Sequence, residues 1–285
     1  MREFFIVTNP EKDRGLQLTG ILVRYLESHG CRCLVHQAEG KADGAFHYTD
    51  PELIPDGVQC ILVLGGDGTL LQTARDVVRK GIPLIGINLG QLGFLAEVDS
   101  KNIYPALDRL IRDDCETERR MMLQGTIYRG MEAVGEDIAL NDIVITRNGH
   151  MRVVRFHNYI NNEFLNSYDA DGVIISTPTG STGYSLSAGG PIVSPNARMM
   201  IMTPVAPHTL SSRSIIFPAE DILTVEIGPS RRGGSETAMA AFDGDTEIAM
   251  TTGDRIQIRA AREEVRILKL SHLSFLETLR GKMTD

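Results

Sequence analysis

The sequence predicts an N-terminal α/β domain with a parallel, Rossmann-like sheet, followed by an all-β, sandwich-like C-terminal domain. Apolar strands alternate with helical patterns from residue 4 to residue 111, as in parallel sheets with crossover helices. From about residue 117, short extended segments follow one another between turn residues. We therefore predict domains at 1–116 and 117–270, and a C-terminal helical segment at 271–285 that can pack back on the first domain.

The spacing of apolar residues predicts each element in turn. Residues 38–57 are polar and contain glycine, which predicts a loop with a short turn near 51–53. In the N-terminal domain we predict strands at 4–9, 31–37, 61–64 and 83–87, and helices at 15–29, 70–78 and 103–111. In the C-terminal domain we predict strands at 124–129, 142–147, 153–160, 163–168, 173–177, 215–217, 223–227, 238–242, 255–259 and 266–270, a short helix at 181–188 and a closing helix at 275–280.

The composition argues against several classes of function. The 285 residues have a formal net charge of −8 and no long basic run, so nucleic-acid binding is not expected. No apolar segment approaches the ~20 residues that a membrane-spanning helix requires. The four cysteines lack the spacing of zinc ligands and are interpreted as buried or idle thiols of a cytoplasmic protein: Cys31, Cys33, Cys60 and Cys115.

Residues 61–71, Ile-Leu-Val-Leu-Gly-Gly-Asp-Gly-Thr-Leu-Leu, indicate a buried strand, a glycine turn and the start of a helix. In an open α/β sheet such a turn lies at the carboxyl edge, where ligands bind, and its glycines let backbone N–H groups approach a phosphate. The turn lacks the Gly-Lys-Ser/Thr of a P-loop and the spacing of the dinucleotide fingerprint. Two interpretations stay open: Asp67 is a base or magnesium-linked group beside a phosphate, or it caps the helix.

A second motif runs from Asp171 to Ser185, where an apolar strand leads into a loop rich in glycine and hydroxyl groups. Seven hydroxyl residues fall within ten positions there, more than a turn requires, which favours binding of ribose and phosphate. The order Gly-Ser-Thr-Gly differs from the nucleophile elbow of acyl-transfer enzymes. Three further motifs are less specific. Asn141-Asp142 fits a sugar diol, a base edge or a solvated turn, and 242–245 fits a hairpin turn. The prolines of 203–211 predict a loop.

Taken in order along nearly the whole chain, these motifs resemble those of the NAD kinase family. Gly-Gly-Asp-Gly-Thr alone is shared with diacylglycerol-type lipid kinases, but Ser-Thr-Pro-Thr-Gly-Ser-Thr followed by Ser-Leu-Ser-Ala-Gly-Gly-Pro is specific. The resemblance implies phosphorylation of the adenosine ribose 2′-hydroxyl of NAD by ATP or polyphosphate, with a divalent metal such as Mg²⁺, in a homodimer or homotetramer. A lipid kinase and a non-catalytic nucleotide-binding regulator remain the alternatives.

The same resemblance implies a role for particular residues. Asp67 would be the base that removes the hydroxyl proton, and Asn141 and Asp142 would bind ribose hydroxyls or the adenine edge. The glycine turn would hold phosphates through Gly65, Gly66, Gly68 and Thr69. The NAD pocket would be lined by Asp171, Thr179, Thr182, Gly183, Tyr184, Ser185, Leu186 and Ser187.

The chain departs from the family pattern at four positions. Asp142 stands where glutamate is common, and Gly183 where alanine is usual. Asp169 occupies a position that is basic in many members, and Asp245 replaces a frequent glutamine; both leave the choice between NAD and NADH open. Arg152 is then the best remaining basic candidate for the site.

Overall fold

The computed structural model of the protein describes residues 1–37, 39–40, 46–47, 49–89, 93–99, 102–149, 153–209, 212–230, 233–270 and 274–283. These residues form two compact units. The first unit comprises Met1–Arg120 and Glu263–Asp285, and the second unit comprises Met121–Arg262. The division into three segments that we expected from the sequence stays a prediction. Among the described helices, none is both long enough and apolar enough to span a membrane.

The helices and strands have the following bounds. The helices are α1 (Gln17–Ser28), α2 (Asp67–Val77), α3 (Ile103–Ile111), α4 (Tyr184–Ser187) and α5 (Phe275–Met283), with 3-10 turns at Arg14–Leu16, Pro51–Leu53, Val78–Lys80 and Gly180–Thr182. The strands are β1 (Glu3–Thr8), β2 (Arg32–Gln37), β3 (Glu39–Gly40), β4 (Phe46–His47), β5 (Cys60–Gly65), β6 (Leu84–Asn88), β7 (Val98–Asp99), β8 (Glu116–Arg129), β9 (Glu132–Ala139), β10 (Asp142–Arg147), β11 (Val154–Ile160), β12 (Glu163–Ala170), β13 (Gly172–Ser176), β14 (Met199–Val205), β15 (Ile215–Pro218), β16 (Leu223–Ile227), β17 (Thr237–Phe242), β18 (Thr246–Thr251) and β19 (Arg255–Lys269).

The first unit contains the predicted parallel sheet. Strands β2, β1, β5 and β6 pair in that order, and all three pairings are parallel. Every residue of β5 is buried, as expected for a strand covered on both faces. Helices α1 and α3 contribute to the core through Leu22, Leu26 and Leu107, which pack with Ile6 and Leu62. The Rossmann-like prediction is confirmed for this unit.

The second unit contains two antiparallel sheets. One has the strand order β15-β14-β13-β10-β17-β18, and the other includes the run β12-β11-β16-β19. The core draws buried side chains from both sheets, among them Ile145 and Phe242 of the first sheet and Phe156 and Val225 of the second. This arrangement confirms the sandwich-like prediction. The first residue of β10, Asp142, pairs with the last residue of β13, Ser176.

The structure also corrects several predicted elements. Strands β9, β14 and β18 were not predicted, and β19 is one strand where we predicted two. The charged run at 262–264 interrupts the apolar pattern of β19, but these side chains stay partly exposed and the backbone remains extended. We predicted a proline-rich loop starting at 203, whereas Pro204 lies inside β14 and aligns with Val173 of β13. Part of the predicted loop at 38–57 lies outside the described residues.

Candidate nucleotide site

The glycine turn joins β5 to α2 in the first unit. Gly65 ends β5, and a Cβ atom there would lie 2.4 Å from the hydroxyl oxygen of Thr69, so only glycine lets Thr69 pack at this point. Gly66 is the N-cap residue of α2, and within the described chain no side chain caps the helix. The N–H groups of the first turn, which includes Gly68, therefore remain available to an anion.

Asp67 is the first residue of α2, but its carboxylate does not cap the helix. It accepts hydrogen bonds from the backbone N–H groups of Phe94 at 2.7 Å, Ala96 at 3.2 Å and Leu95 at 3.3 Å. A Cβ atom on Gly93 would lie 2.0 Å from this carboxylate, so the approach requires glycine. Three of about four lone-pair positions are used, which fixes the orientation of the group and leaves about one for another partner.

The loop that holds Asp67 is itself anchored. The buried carboxylate of Glu97 accepts from the Lys269 ammonium group at 2.5 Å and from the Leu270 N–H at 2.9 Å. Lys282 of α5 lies 5.0 Å from the centre of the Phe94 ring. Residues 90–92 lie outside the described residues. These contacts hold the 93–96 loop in place, and the loop in turn keeps the Asp67 carboxylate in one orientation.

Several hydroxyl groups of the hydroxyl-rich motif in the second unit form hydrogen bonds that stabilise the loop itself. Thr177 donates its hydroxyl to the Leu140 carbonyl at 2.6 Å, and Ser181 donates to the Pro178 carbonyl at 2.7 Å. The hydroxyl of Ser185 lies 3.2 Å from that of Thr203. These three hydroxyls shape the loop, whereas Tyr184 and Leu186 of α4 keep exposed side chains.

Asn141 and Asp142 lie where β10 begins, against this loop. A Cβ atom on Gly180 would fall 2.1 Å from the Asn141 carbonyl oxygen, so glycine permits the close approach. A Cβ on Gly183 would lie 4.0 Å from a carboxyl oxygen of Asp142, which shows that Asp142 faces the hydroxyl-rich loop. Burial first, and the nearby Asp243 second, raise the pKa of Asp142 to about 7.

Two buried oxygens of this region have no hydrogen-bond partner among the described residues. They are the side-chain amide oxygen of Asn141 and the hydroxyl oxygen of Thr179. Native proteins rarely leave such atoms unsatisfied, because each costs roughly 1–3 kcal/mol. Each of these two oxygens can therefore accept a hydrogen bond from a buried water molecule or from a ligand.

The turn between β17 and β18 does more than reverse the chain. Asp243 accepts hydrogen bonds from the backbone N–H groups of Leu140 at 2.7 Å, Asn141 at 2.8 Å and Asp142 at 3.0 Å. Asp245 closes the turn with a 3.1 Å hydrogen bond from its N–H to the Phe242 carbonyl. The sequence predicted the hairpin turn but not the role of Asp243 in holding the start of β10.

Two arginines missed by the sequence analysis pair with the acidic residues near β13. Arg147 contacts Asp171 at 2.9 Å, and Arg155 binds both carboxylate oxygens of Asp169 at 2.9 and 3.1 Å. Strand register is the signal that could have found them. Arg155 lies opposite Asp169 on antiparallel strands, and Arg147 ends β10 beside Asp171, the residue before β13. Arg152 lies outside the described residues. Within the described ranges, no group of three or more His, Cys, Asp or Glu side chains is arranged to hold a metal ion.

Both halves of the chain match known protein families. Residues 4–115 match the ATP-NAD kinase N-terminal domain, and residues 140–270 match the ATP-NAD kinase C-terminal domain. The NAD kinase of Lachnospira eligens is 46% identical over 293 residues, covering 99% of this chain and 100% of the relative. The NAD kinase of Agathobacter rectalis is 45% identical over 285 residues, covering 99% of each chain.

Solved structures show the same fold. Yeast NADH kinase, in a crystal structure complexed with NADH, has a TM-score of 0.83 and 24% identity, covering 100% of this chain and 88% of that chain. An NAD kinase from Archaeoglobus fulgidus, in complex with ATP, has a TM-score of 0.76 and 22% identity, covering 100% of this chain and 99% of that chain. At these identities the likeness shows the fold alone.

Proposed function

The chain belongs to the NAD kinase family, and we propose on that premise that it transfers a phosphoryl group from ATP to the adenosine ribose 2′-hydroxyl of NAD, giving NADP. Relatives named NAD kinase are 45–46% identical over the full chain. Among the geometric observations, the one that supports this reaction best is the oriented carboxylate of Asp67 at the uncapped start of α2.

In this proposal the first unit handles the phosphoryl donor and the proton. The N–H groups at Gly66, Gly68 and Thr69 hold phosphates, and Gly65 lets Thr69 pack close enough to complete the turn. Asp67 accepts the proton of the 2′-hydroxyl at the lone-pair position that its three N–H donors leave open. General-base assistance contributes typically ~10²–10⁴ in rate, and positioning and electrostatic stabilisation supply the rest.

The second unit binds NAD in this proposal. Asn141 and Thr179 supply the two buried oxygens that have no hydrogen-bond partner among the described residues, and donors on the ribose or adenine satisfy them. Tyr184, which is 48% exposed, packs against a ring of the ligand. The remaining pocket positions are Asp142, Asp171, Thr182, Gly183, Ser185, Leu186, Ser187 and Asp245.

Asp169 does not act as a free negative charge, because Arg155 binds it with two hydrogen bonds. A phosphate of NAD near this position would meet a paired carboxylate, which lowers the repulsion that the sequence alone implies. The ion pair therefore supports retention of dinucleotide binding despite the departure at this position.

The remaining proposals concern cofactor, assembly and location. A divalent metal, with Mg²⁺ the best candidate, would enter bound to the phosphates of ATP and neutralise the charge that develops on transfer. We propose a homodimer or homotetramer, which light scattering on the purified protein will test. The four free cysteines support a reducing, cytoplasmic location, and the net charge of −8 argues against nucleic acid as a partner.

The test is NADP production by the purified chain, crossing NAD and NADH with ATP and polyphosphate in the presence of Mg²⁺. We expect turnover with NAD and ATP. Isothermal titration calorimetry with NAD accompanies the assay. Tight NAD binding without turnover would instead identify a regulator, and no turnover with any donor would overturn the proposed activity.

A further inference from the structure

A lysine from a neighbouring loop reaches the glycine turn. The ammonium nitrogen of Lys12 lies 2.7 Å from the position that a Cβ atom on Gly66 would occupy. Gly66 has φ −123° and ψ −172°, an extended conformation open to any residue, so its backbone does not demand glycine. The space beside Gly66 is instead occupied by the charged end of Lys12.

The loop that carries Lys12 is tied to this place by hydrogen bonds. The N–H of Asn9 donates to the Leu64 carbonyl at 3.0 Å, and the Asn9 side chain donates to the Thr69 hydroxyl at 3.4 Å. The Asn9 side-chain oxygen in turn accepts from the N–H groups of Glu11 at 3.0 Å and Lys12 at 3.3 Å. Strand β1 and the glycine turn thus fix the backbone from which Lys12 projects.

The charge of Lys12 is available to a ligand. Its side chain is exposed, and no described carboxylate forms an ion pair with it. Asp13, the adjacent acid, is buried and accepts from the N–H groups of Leu18 at 3.0 Å and Thr19 at 2.8 Å. In a chain of net charge −8, an unpaired cation beside an uncapped helix start favours an anion at that point.

We propose that Lys12 binds the linked phosphates of the phosphoryl donor over the first turn of α2. This inference rests on the proposed function and adds a residue to it, since phosphate oxygens would accept from the Lys12 ammonium group and from the helix N–H groups together. A methyl group at Gly66 would meet the ammonium group, so the end of the Lys12 side chain would shift in Gly66→Ala. ATP and inorganic polyphosphate share this chemistry, so the test includes both.

The experiment compares Lys12→Gln with Lys80→Gln, which removes the same charge from an exposed lysine elsewhere in the first unit. We expect Lys12→Gln to raise the KM for the donor about tenfold, the loss that follows removal of one charge-assisted hydrogen bond. The KM for NAD should stay unchanged, Lys12→Arg should restore most of the donor affinity, and the effect should shrink at high salt. Gly66→Ala should raise the same KM.

Calorimetry with tripolyphosphate, without NAD, tests the inference independently of turnover. Weaker tripolyphosphate binding by Lys12→Gln than by Lys80→Gln supports it even if the wild-type chain forms no NADP, an outcome that would overturn the proposed function alone. If the KM rises for ATP alone, Lys12 binds the nucleotide donor. If the KM rises for polyphosphate alone, Lys12 binds the polymer. Equal donor KM values and equal tripolyphosphate binding in the two variants would overturn the inference.

Discussion

Asp142 and Asp243 are joined by two reciprocal hydrogen bonds. The N–H of Asp142 donates to the Asp243 carboxylate, and the N–H of Asp243 donates to the Asp142 carbonyl, each at 3.0 Å. The same carboxylate holds the N–H groups of the two preceding residues. The start of β10, with its proposed ribose-binding side chains, is therefore positioned by a turn about a hundred residues later.

Replacing Asp243 should loosen the backbone at the start of β10. In Asp243→Ala the three N–H groups lose their acceptor, so we expect the free energy of unfolding to fall by about 1–3 kcal/mol and the KM for NAD to rise. The KM for ATP should change much less, because the donor is assigned to the first unit. Urea denaturation and steady-state kinetics measure these effects. Glu247→Gln is the control, because it removes the same charge from an exposed residue of β18. An unchanged KM for NAD would contradict the positioning role.

The raised pKa of Asp142 gives the protein a defined pH dependence. The ordinary value is 3.8 and the folded value is about 7, so between these values the folded state binds a proton more readily than the unfolded state. The contribution of Asp142 is thus fully present below pH ~4 and is lost as the pH rises through 7. We expect Asp142→Asn to remove this component of the stability curve, which urea denaturation from pH 4 to 8 will show. Parallel curves for the variant and the wild type would contradict it.

Gly93 should be intolerant of any side chain. In Gly93→Ala the new methyl carbon would fall on the Asp67 carboxylate, which forces the 93–96 loop or Asp67 to move. We expect turnover to fall by at least ~10², the contribution of a positioned base, with NAD binding retained. Gly20→Ala is the matched control, because Gly20 lies in α1 with space for a methyl group beside Arg24. Equal turnover in both variants would show that the contact is not required.

Much of the fold follows from local patterns. The buried run of β5 and the spacing of apolar residues in α3 predicted those elements within a residue, and the Asn161-Asn162 turn adopts the positive φ that such residues tolerate. Strand β14 was missed because Pro204 suggested a loop, although neighbouring strands accommodate it. Strand β9 was missed because it is largely exposed, which removes the apolar alternation that marks a strand.

The candidate site was predicted by motif but not by geometry. The glycine turn and the hydroxyl-rich loop were found because their residue types are unusual at that spacing. The partners of Asp67 are backbone N–H groups at 94–96, and any sequence supplies such groups. The ion pairs of Asp169 and Asp171 depend on strand register, and the approach of Lys12 to Gly66 depends on how two loops meet at the end of a sheet. Such contacts come from tertiary structure.

The role of Asp67 as the base is tested by the rate of NADP formation by Asp67→Asn, with saturating NAD and ATP. The amide oxygen of asparagine can still accept from Leu95 and Ala96, so the variant should fold and bind NAD, which thermal melting and calorimetry will verify. An amide cannot remove the hydroxyl proton, so we expect kcat to fall at least ~10²-fold relative to the wild type. A kcat close to the wild-type value in the folded variant would contradict the role of Asp67 as the base.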